Sequence, residues 1–429
     1  MTGSRSPKYD DAELLRKNGN YNEACELFAQ LWQQNPGPLI GWRFAFCLRK
    51  TGRLEEAEEV AREALVKYPG DTFTKAELGW ILYEKELKPA REQRDLGRLI
   101  QVANHIISLN ADKIARVRTV LCVMKCAKER KDWKTVLEWA DKLTTEDFGN
   151  QPKRTNEGRS MSDVETWYVG RARALLELGR FDEARQFAQA GLAVFPNEIF
   201  LRRTAALALA YSGDLAGGIS EMRMLLTHRR AEWYIEAELA GLEYRAGNFT
   251  EAYRLICEAV SNCRQSEQYR LQCFVTLARI ALALGKLDVA AAHTTLAKMI
   301  RSSRGWKIPM ELVQVETDIL AAFQASNQTW PEMPKDTQQL GMLCRRHWQK
   351  GKNEGVQFYR GTIKPYPEGR HFAFIKRDDG DEDVYVAIRD LPKNCIQPGS
   401  RVEFAIKKSY DVVRGRESIQ AASVRCIGE

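Results

Sequence analysis

The sequence predicts a multidomain α + β protein: an all-α solenoid of helical hairpins followed by a small five-stranded β-barrel. Three observations carry that prediction. A Gly-to-Pro unit of constant length recurs in the first part of the chain, a polar stretch with two prolines lies at 326–340, and beyond it helix-period apolar spacing gives way to short alternating runs. The length of 429 residues independently asks for more than one domain, because single cores rarely grow past about 250–300 residues.

The helical unit can be read directly. Gly19 to Pro36 is GNYNEACELFAQLWQQNP, Gly52 to Pro69 is GRLEEAEEVAREALVKYP and Gly179 to Pro196 is GRFDEARQFAQAGLAVFP, with Pro 17 positions after Gly in each. An aromatic residue or Leu (Tyr21, Leu54, Phe181) follows the glycine by two, and Ala24, Ala57 and Ala184 stand three further on. Further hinges are Gly213-Asp214-Leu215, Gly247-Asn248-Phe249 and Gly285-Lys286-Leu287; the glycines at 179, 213 and 247 are 34 apart. Glycine ends one helix by taking positive φ, alanine lets the second helix approach the first, and proline stops the second helix.

This period and pattern resemble the tetratricopeptide repeat, most clearly over residues 5–70 and 165–302. The resemblance divides the chain into N-terminal repeats at 1–143, degenerate from 71, a loop at 144–163, and a second repeat block with a capping helix at 164–325. A partly basic linker at 326–354 and the barrel at 355–429 complete it. Within the degenerate part, Lys131-Asp132-Trp133 keeps the second-helix spacing, while Lys85 to Arg98 reads as a charged insertion. In the family the first helices line a concave face that takes a protein partner. Phasing the repeats puts Trp42, Phe46, Arg49, Arg173, Arg203, Tyr211, Tyr234, Tyr244 and Arg279 on that face, a mixture of Arg and Tyr suited to acidic peptides or nucleic acid.

After the linker come FYRGTIKPY, HFAFIKR, DVYVAI, SRVEFAIKK and ESIQAASVRC, separated by turn signals. Five short strands in so little chain suggest a closed barrel. GTIKPYPEGRHFAFI, Val384-Tyr385-Val386-Ala387, Gly399 to Phe404 and Gln420 to Val424 together resemble a cold-shock domain, an OB-fold family, over residues 357–427. The resemblance implies binding of single-stranded RNA or DNA.

The strands supply their own argument. Side chains alternate faces, so Phe372 and Phe374 share one face and Ala373 and Ile375 the other, with Tyr385 opposing Val384 and Val386. If the aliphatic set fills the barrel, the three aromatics form an outer platform on which bases stack, each worth roughly 1–3 kcal/mol. Lys364, Arg370, Lys376 and Arg377 are placed to neutralise phosphates, and Tyr366 holds an adjacent aromatic position. Two positions depart from the family pattern: Pro365 replaces an exposed Trp and Ala387 replaces a His. The expectation is weaker or differently tuned binding, or a barrel partly converted to protein contacts.

The charge distribution agrees. Residues 341–429 carry 17 Lys and Arg against 12 Asp and Glu, whereas the preceding 340 carry 48 against 45. Met1 to Asp11 is polar and no long uncharged apolar run exists, so neither membrane span nor leader is expected. Ten scattered cysteines without a CxxC pair read as thiols of a cytoplasmic protein. Cys122 and Cys126 lack zinc-ligand companions, and the run Asp378 to Asp383 reads as a solvated hairpin turn. With neither a phosphate loop nor a dinucleotide fingerprint, and with isolated histidines, no enzyme, metal or cofactor is expected. The leading expectation is a non-enzymatic adaptor joining single-stranded nucleic acid, RNA favoured, to a protein partner. The alternatives are a purely protein-binding scaffold or the regulatory subunit of a separately encoded nucleic-acid enzyme.

Overall fold

The glycine hinges adopt the conformation that the repeat demands. Gly19, Gly52 and Gly179 have φ of +86°, +80° and +74° in the computed structural model, which describes residues 7–109, 112–149, 161–227, 232–263, 267–367, 369–411 and 416–427. The chain divides into two packed units, Met1–Ala205 and Ala206–Glu429. In the first, Pro7–Lys17 packs on Tyr21–Gln34, Pro38–Lys50 on Leu54–Lys67, Lys113–Glu129 on Trp133–Ala140, and Asp163–Glu177 on Phe181–Val194. Ala24, Ala57 and Ala184 are fully buried between paired helices, where a larger side chain would push the helices apart.

The degenerate repeats keep the hinge without the glycine. Arg94 and Lys131 occupy it at φ of +57° and +58°, a left-handed conformation that costs a side-chain-bearing residue roughly 1–2 kcal/mol. Asp95 and Asp132 follow them and cap the next helices by accepting from the amides of Arg98 and Thr135. The charged segment after Lys85 is not a looped-out insertion up to Arg98. The helix Thr72–Leu82 runs through a π-helical turn, Tyr83–Leu87, into Lys88–Glu92. Lys85 on that turn is 2.9 Å from Glu58.

In the second unit Trp233–Arg245 packs on Phe249–Asn262 and Glu267–Ala283 on Leu287–Ser303, with Met310–Ala325 covering the last pair. At Gly218 the repeat's alanine is replaced because there is no space for one: a Cβ would lie 2.8 Å from the Ala206 carbonyl and 2.5 Å from the Ala210 methyl.

The segment 326–354, expected as a linker, contains a packed helix, Thr337–Gly351. Leu340, Cys344 and Trp348 are buried and recur every four residues, which puts them on one helical face. Trp348 stacks on Phe274 with ring centroids 5.7 Å apart, and its indole N–H donates to His293 Nε2 at 2.7 Å. His293 Nδ1 lies 2.7 Å from the Val289 carbonyl, so the neutral ring donates there and accepts from the indole. Gly351 ends the helix against Tyr253 and Cys257, where a Cβ would meet the Cys257 sulfur at 2.4 Å.

Burial holds His293 far below the ordinary imidazole range, at about 3. The folded ring therefore refuses a proton that the unfolded chain accepts near pH 6.5. Stability contributed here is fully present above that pH and is lost as the pH falls through 3, by about 5 kcal/mol in total. Urea unfolding between pH 7 and 4, wild type against His293→Gln, is expected to show this excess acid sensitivity in the wild type alone.

The barrel consists of β1 (Phe358–Ile363), β2 (Phe372–Arg377), β3 (Val384–Ala387), β4 (Arg401–Asp411) and β5 (Arg416–Cys426). It closes in the order β1-β2-β3-β5-β4, with β3 and β5 parallel and the other pairs antiparallel. Ile363, Ala373, Ile375, Val384, Val386, Val402 and Phe404 fill it. β1 and β2 approach closely because Gly361 has no Cβ, which would otherwise lie 2.4 Å from the Lys376 carbonyl. Lys407 on β4 fixes the barrel to the repeats, 3.0 Å from Glu258 and 3.8 Å from Glu236. Burial, with Glu258 adjoining, pushes the Glu236 carboxyl up to about 7.

The cysteine expectation is corrected in one place. Cys395 and Cys426 are disulfide-bonded, tying the turn after β3 to the end of β5 with Cα atoms 5.9 Å apart. The other eight cysteines are buried thiols. No helix among the described residues is long and apolar enough to cross a membrane.

Candidate nucleic-acid interface

Alternation along β2 and β3 separates core from surface as expected. Ala373, Ile375, Val384 and Val386 are at most 1% exposed, while Phe374 is 40% and Tyr385 36% exposed. Phe372 is half-buried. The antiparallel register sets Phe374 opposite Tyr385 and Phe372 opposite Ala387. The three rings form one cluster, with centroids 5.5 Å apart for Phe372–Tyr385, 5.9 Å for Phe372–Phe374 and 6.2 Å for Phe374–Tyr385. Lys376 continues the row on β2 and is exposed, paired with Thr362 across β1.

Not every expected binding residue joins this surface. Tyr366 packs against the barrel core, its hydroxyl donates to the Ile396 carbonyl, and it makes no ring contact with the three aromatics among the described residues. Arg370 does not stand free beside the strand: its guanidinium covers the Phe372 ring, 4.4 Å from the centroid, a cation–π contact that stiffens the platform's edge. Lys364 is ion-paired with Asp383.

The acidic run accounts for more of the missing charge. Arg377 is paired with Asp379 and Asp381, and Arg401 with Asp378 at 2.6 Å. Arg401 holds the Asp378 carboxyl below its usual range, and Arg377 does the same for Asp379. The run is therefore an ion-paired turn rather than a merely solvated one, and it neutralises Lys364, Arg377 and Arg401. The parallel β3–β5 pairing also brings Gln420 beside Tyr385. Gln420 supplies amide hydrogen-bonding groups next to a stacking ring. The strand alternation alone did not reveal it, because it comes from the far end of the chain.

The barrel region is 34% identical over 74 residues to a cold shock-like protein of Aquifex aeolicus, covering 17% of this chain and 97% of that protein. The chain belongs to the cold-shock-like protein family through its C-terminal barrel. Cold shock-like protein CspA of Stigmatella aurantiaca is 37% identical over 70 residues, covering 16% of this chain and 94% of that protein. At the other end, the tetratricopeptide repeat family matches residues 15–72. A tetratricopeptide repeat protein of Parabacteroides merdae is 12% identical in sequence, with a TM-score of 0.32 over 64% of this chain and 97% of that one. The repeat assignment rests on the family match and on the hairpins themselves.

The residues expected on the repeats' partner face divide. Trp42 stacks on Phe73 at 5.6 Å beneath the Arg43 guanidinium at 4.1 Å, and Phe46 meets Tyr21 edge-on at 5.8 Å. Phe73 is 60% exposed and was missed, although it stands in the first turn of a first helix. Tyr211 is exposed under Arg245, 4.9 Å from its ring. Tyr234 packs beside Trp233, and Tyr244 beside Phe249. Arg173 pairs with Glu177 and Arg279 with Glu311 at 3.0 Å.

Two expectations fail. Arg49 is buried, with Nε 2.5 Å from Glu77 and Nη1 2.8 Å from Glu84, so it joins helices rather than a partner. Arg203 is also buried. For Arg49 the covering groups are Glu77 and Glu84 of the following repeat.

Proposed function

We propose that this protein is a non-enzymatic adaptor that binds single-stranded nucleic acid, RNA in preference to DNA, on its cold-shock-like barrel and a protein partner on its repeats. The observation that carries the reading is the Phe372–Phe374–Tyr385 cluster. Three aromatic rings share one solvent-facing side of a barrel whose core is otherwise complete. Such a surface gains little by facing water and much by stacking unpaired bases. A duplex hides the faces of its bases, so the same cluster discriminates against it. The Trp42–Phe73 stack on the repeats, flanked by Arg43, is the proposed anchor for the partner. Eight buried thiols favour a reducing compartment such as the cytoplasm, with Cys395–Cys426 as the exception.

The ion pairs make the proposal quantitative. With Lys364, Arg377 and Arg401 held by aspartates, Arg370 and Lys376 remain to meet phosphates. Two neutralised phosphates give a slope of log affinity on log salt of about −1.4, whereas all five cations would give about −3.5. Fluorescence anisotropy with a pyrimidine-rich single-stranded RNA across a salt series is expected to give the shallow slope, and the matching duplex is expected to bind more weakly. Equal affinity for strand and duplex would leave the stacking surface without a role and favour the barrel as a protein-docking module.

A further inference from the structure

In the first unit, arginines at helix contacts carry carboxylates: Arg49 has Glu77 and Glu84, and Arg16 and Arg43 share Glu13. One group of cations does not. A cavity of about 510 Å³ is lined by Arg91, Arg118, Lys125 and Lys128, with Asp163 as the carboxylate on its wall. None of those four makes an ion pair among the described residues. Arg118 lies 5.7 Å from the Trp80 ring centroid, and Arg91 and Cys122 both line the cavity.

The sequence builds this cluster from one helical stripe. Arg118, Lys125 and Lys128 lie on Lys113–Glu129 at spacings of seven and three residues, which return to one face. Arg91 joins them from Lys88–Glu92, the short helix beyond the π-helical turn. Leu121, Val136 and Val169 supply apolar wall. Arg118, Lys125 and Lys128 are exposed at the cavity's open side, and the Lys128 ammonium is held below its ordinary value by local desolvation and then by Arg173, Arg203 and Lys125. Like charges gathered at one opening repel, whereas Arg16, Arg43 and Arg49 are each offset by carboxylates. The arrangement becomes favourable once an anion occupies the space between them.

The cavity's size and charge narrow the anion. Its volume falls within the range of small-molecule sites, about 300–1,000 Å³. Among the described residues, four cations against one carboxylate leave an excess of three positive charges. An extended acidic peptide delivers one charge for every ~3.3 Å of chain and needs a groove to present several. A polyphosphate concentrates the same charge in one compact group, and its oxygens match arginine's forked donors and the lysine ammonium. We propose that this cavity is a binding site for a small polyphosphate of the nucleotide class, separate from the barrel surface.

The test is calorimetric titration of the full chain with inorganic tripolyphosphate, with ATP and with an octaglutamate peptide, comparing wild type and Lys125→Gln/Lys128→Gln. Tripolyphosphate is expected to bind the wild type one-to-one and the variant at least about tenfold more weakly. ATP binding that is equally tight or tighter, and equally lost in the variant, supports a nucleotide. The unliganded variant is expected to melt no lower than wild type, since two repelling charges are gone, which separates loss of the site from loss of the fold. The proposal is overturned if tripolyphosphate binds both proteins alike, if neither phosphate probe binds at roughly millimolar concentration, or if the peptide alone binds.

Discussion

Replacing Trp348 with Ala is expected to destabilise the second unit by about 4 kcal/mol, the middle of the range for deleting a buried aromatic side chain. Two losses add. The indole is stacked on Phe274 and buried, so truncation opens a cavity between the helix Thr337–Gly351 and the repeats. It also removes the donor to His293 Nε2, leaving a polar atom of a fully buried ring unsatisfied. Trp348→Phe separates the two, since it keeps most of the packing and removes only the donor, with an expected cost of about 1–2 kcal/mol. Urea titration of the second unit's unfolding transition measures both. A loss below about 1 kcal/mol for Trp348→Ala would mean that the helix is a dispensable tether.

That helix shows how sequence information can be present and still be misread. Leu340, Cys344 and Trp348 recur every four residues, but Arg345, Arg346 and His347 surround them and two prolines precede them. Three buried positions in a basic stretch resemble a linker unless their partner surface, Phe274 and His293, is known. The hairpins were far more legible, because glycine at positive φ, alanine at a close crossing and proline at the end are local requirements repeated at a fixed interval. Arg94 and Lys131 show the limit of that ruler, since they take the glycine conformation without being glycine.

The barrel's face was legible for a similar reason. Strand alternation fixes which side of β2 and β3 each ring occupies without long-range information. The electrostatics of that face were not legible. Arg401 meets Asp378 and Lys364 meets Asp383 only when distant strands come together, so the count of basic residues overstated the charge available to a ligand. Gln420 was hidden by the same distance in sequence, and Arg49 by the acidic residues of the following repeat.

The aromatic platform carries the functional reading, and its removal has the second large expected effect. Phe374 is exposed and Phe372 half-buried on the outside of a barrel whose aliphatic core does not include them. Changing both to Ala is therefore expected to leave folding intact. Two lost stacking contacts are worth about 3 kcal/mol together, near the lower end of the range for two bases, because no Trp stands at Pro365 and no His at Ala387 to complete the site. The direct measurement is fluorescence anisotropy of a short pyrimidine-rich RNA titrated with wild type and with Phe372→Ala/Phe374→Ala, after matching circular dichroism spectra confirm the fold. The expected result is weakening on the order of a hundredfold; equal affinity of the two proteins would contradict the account.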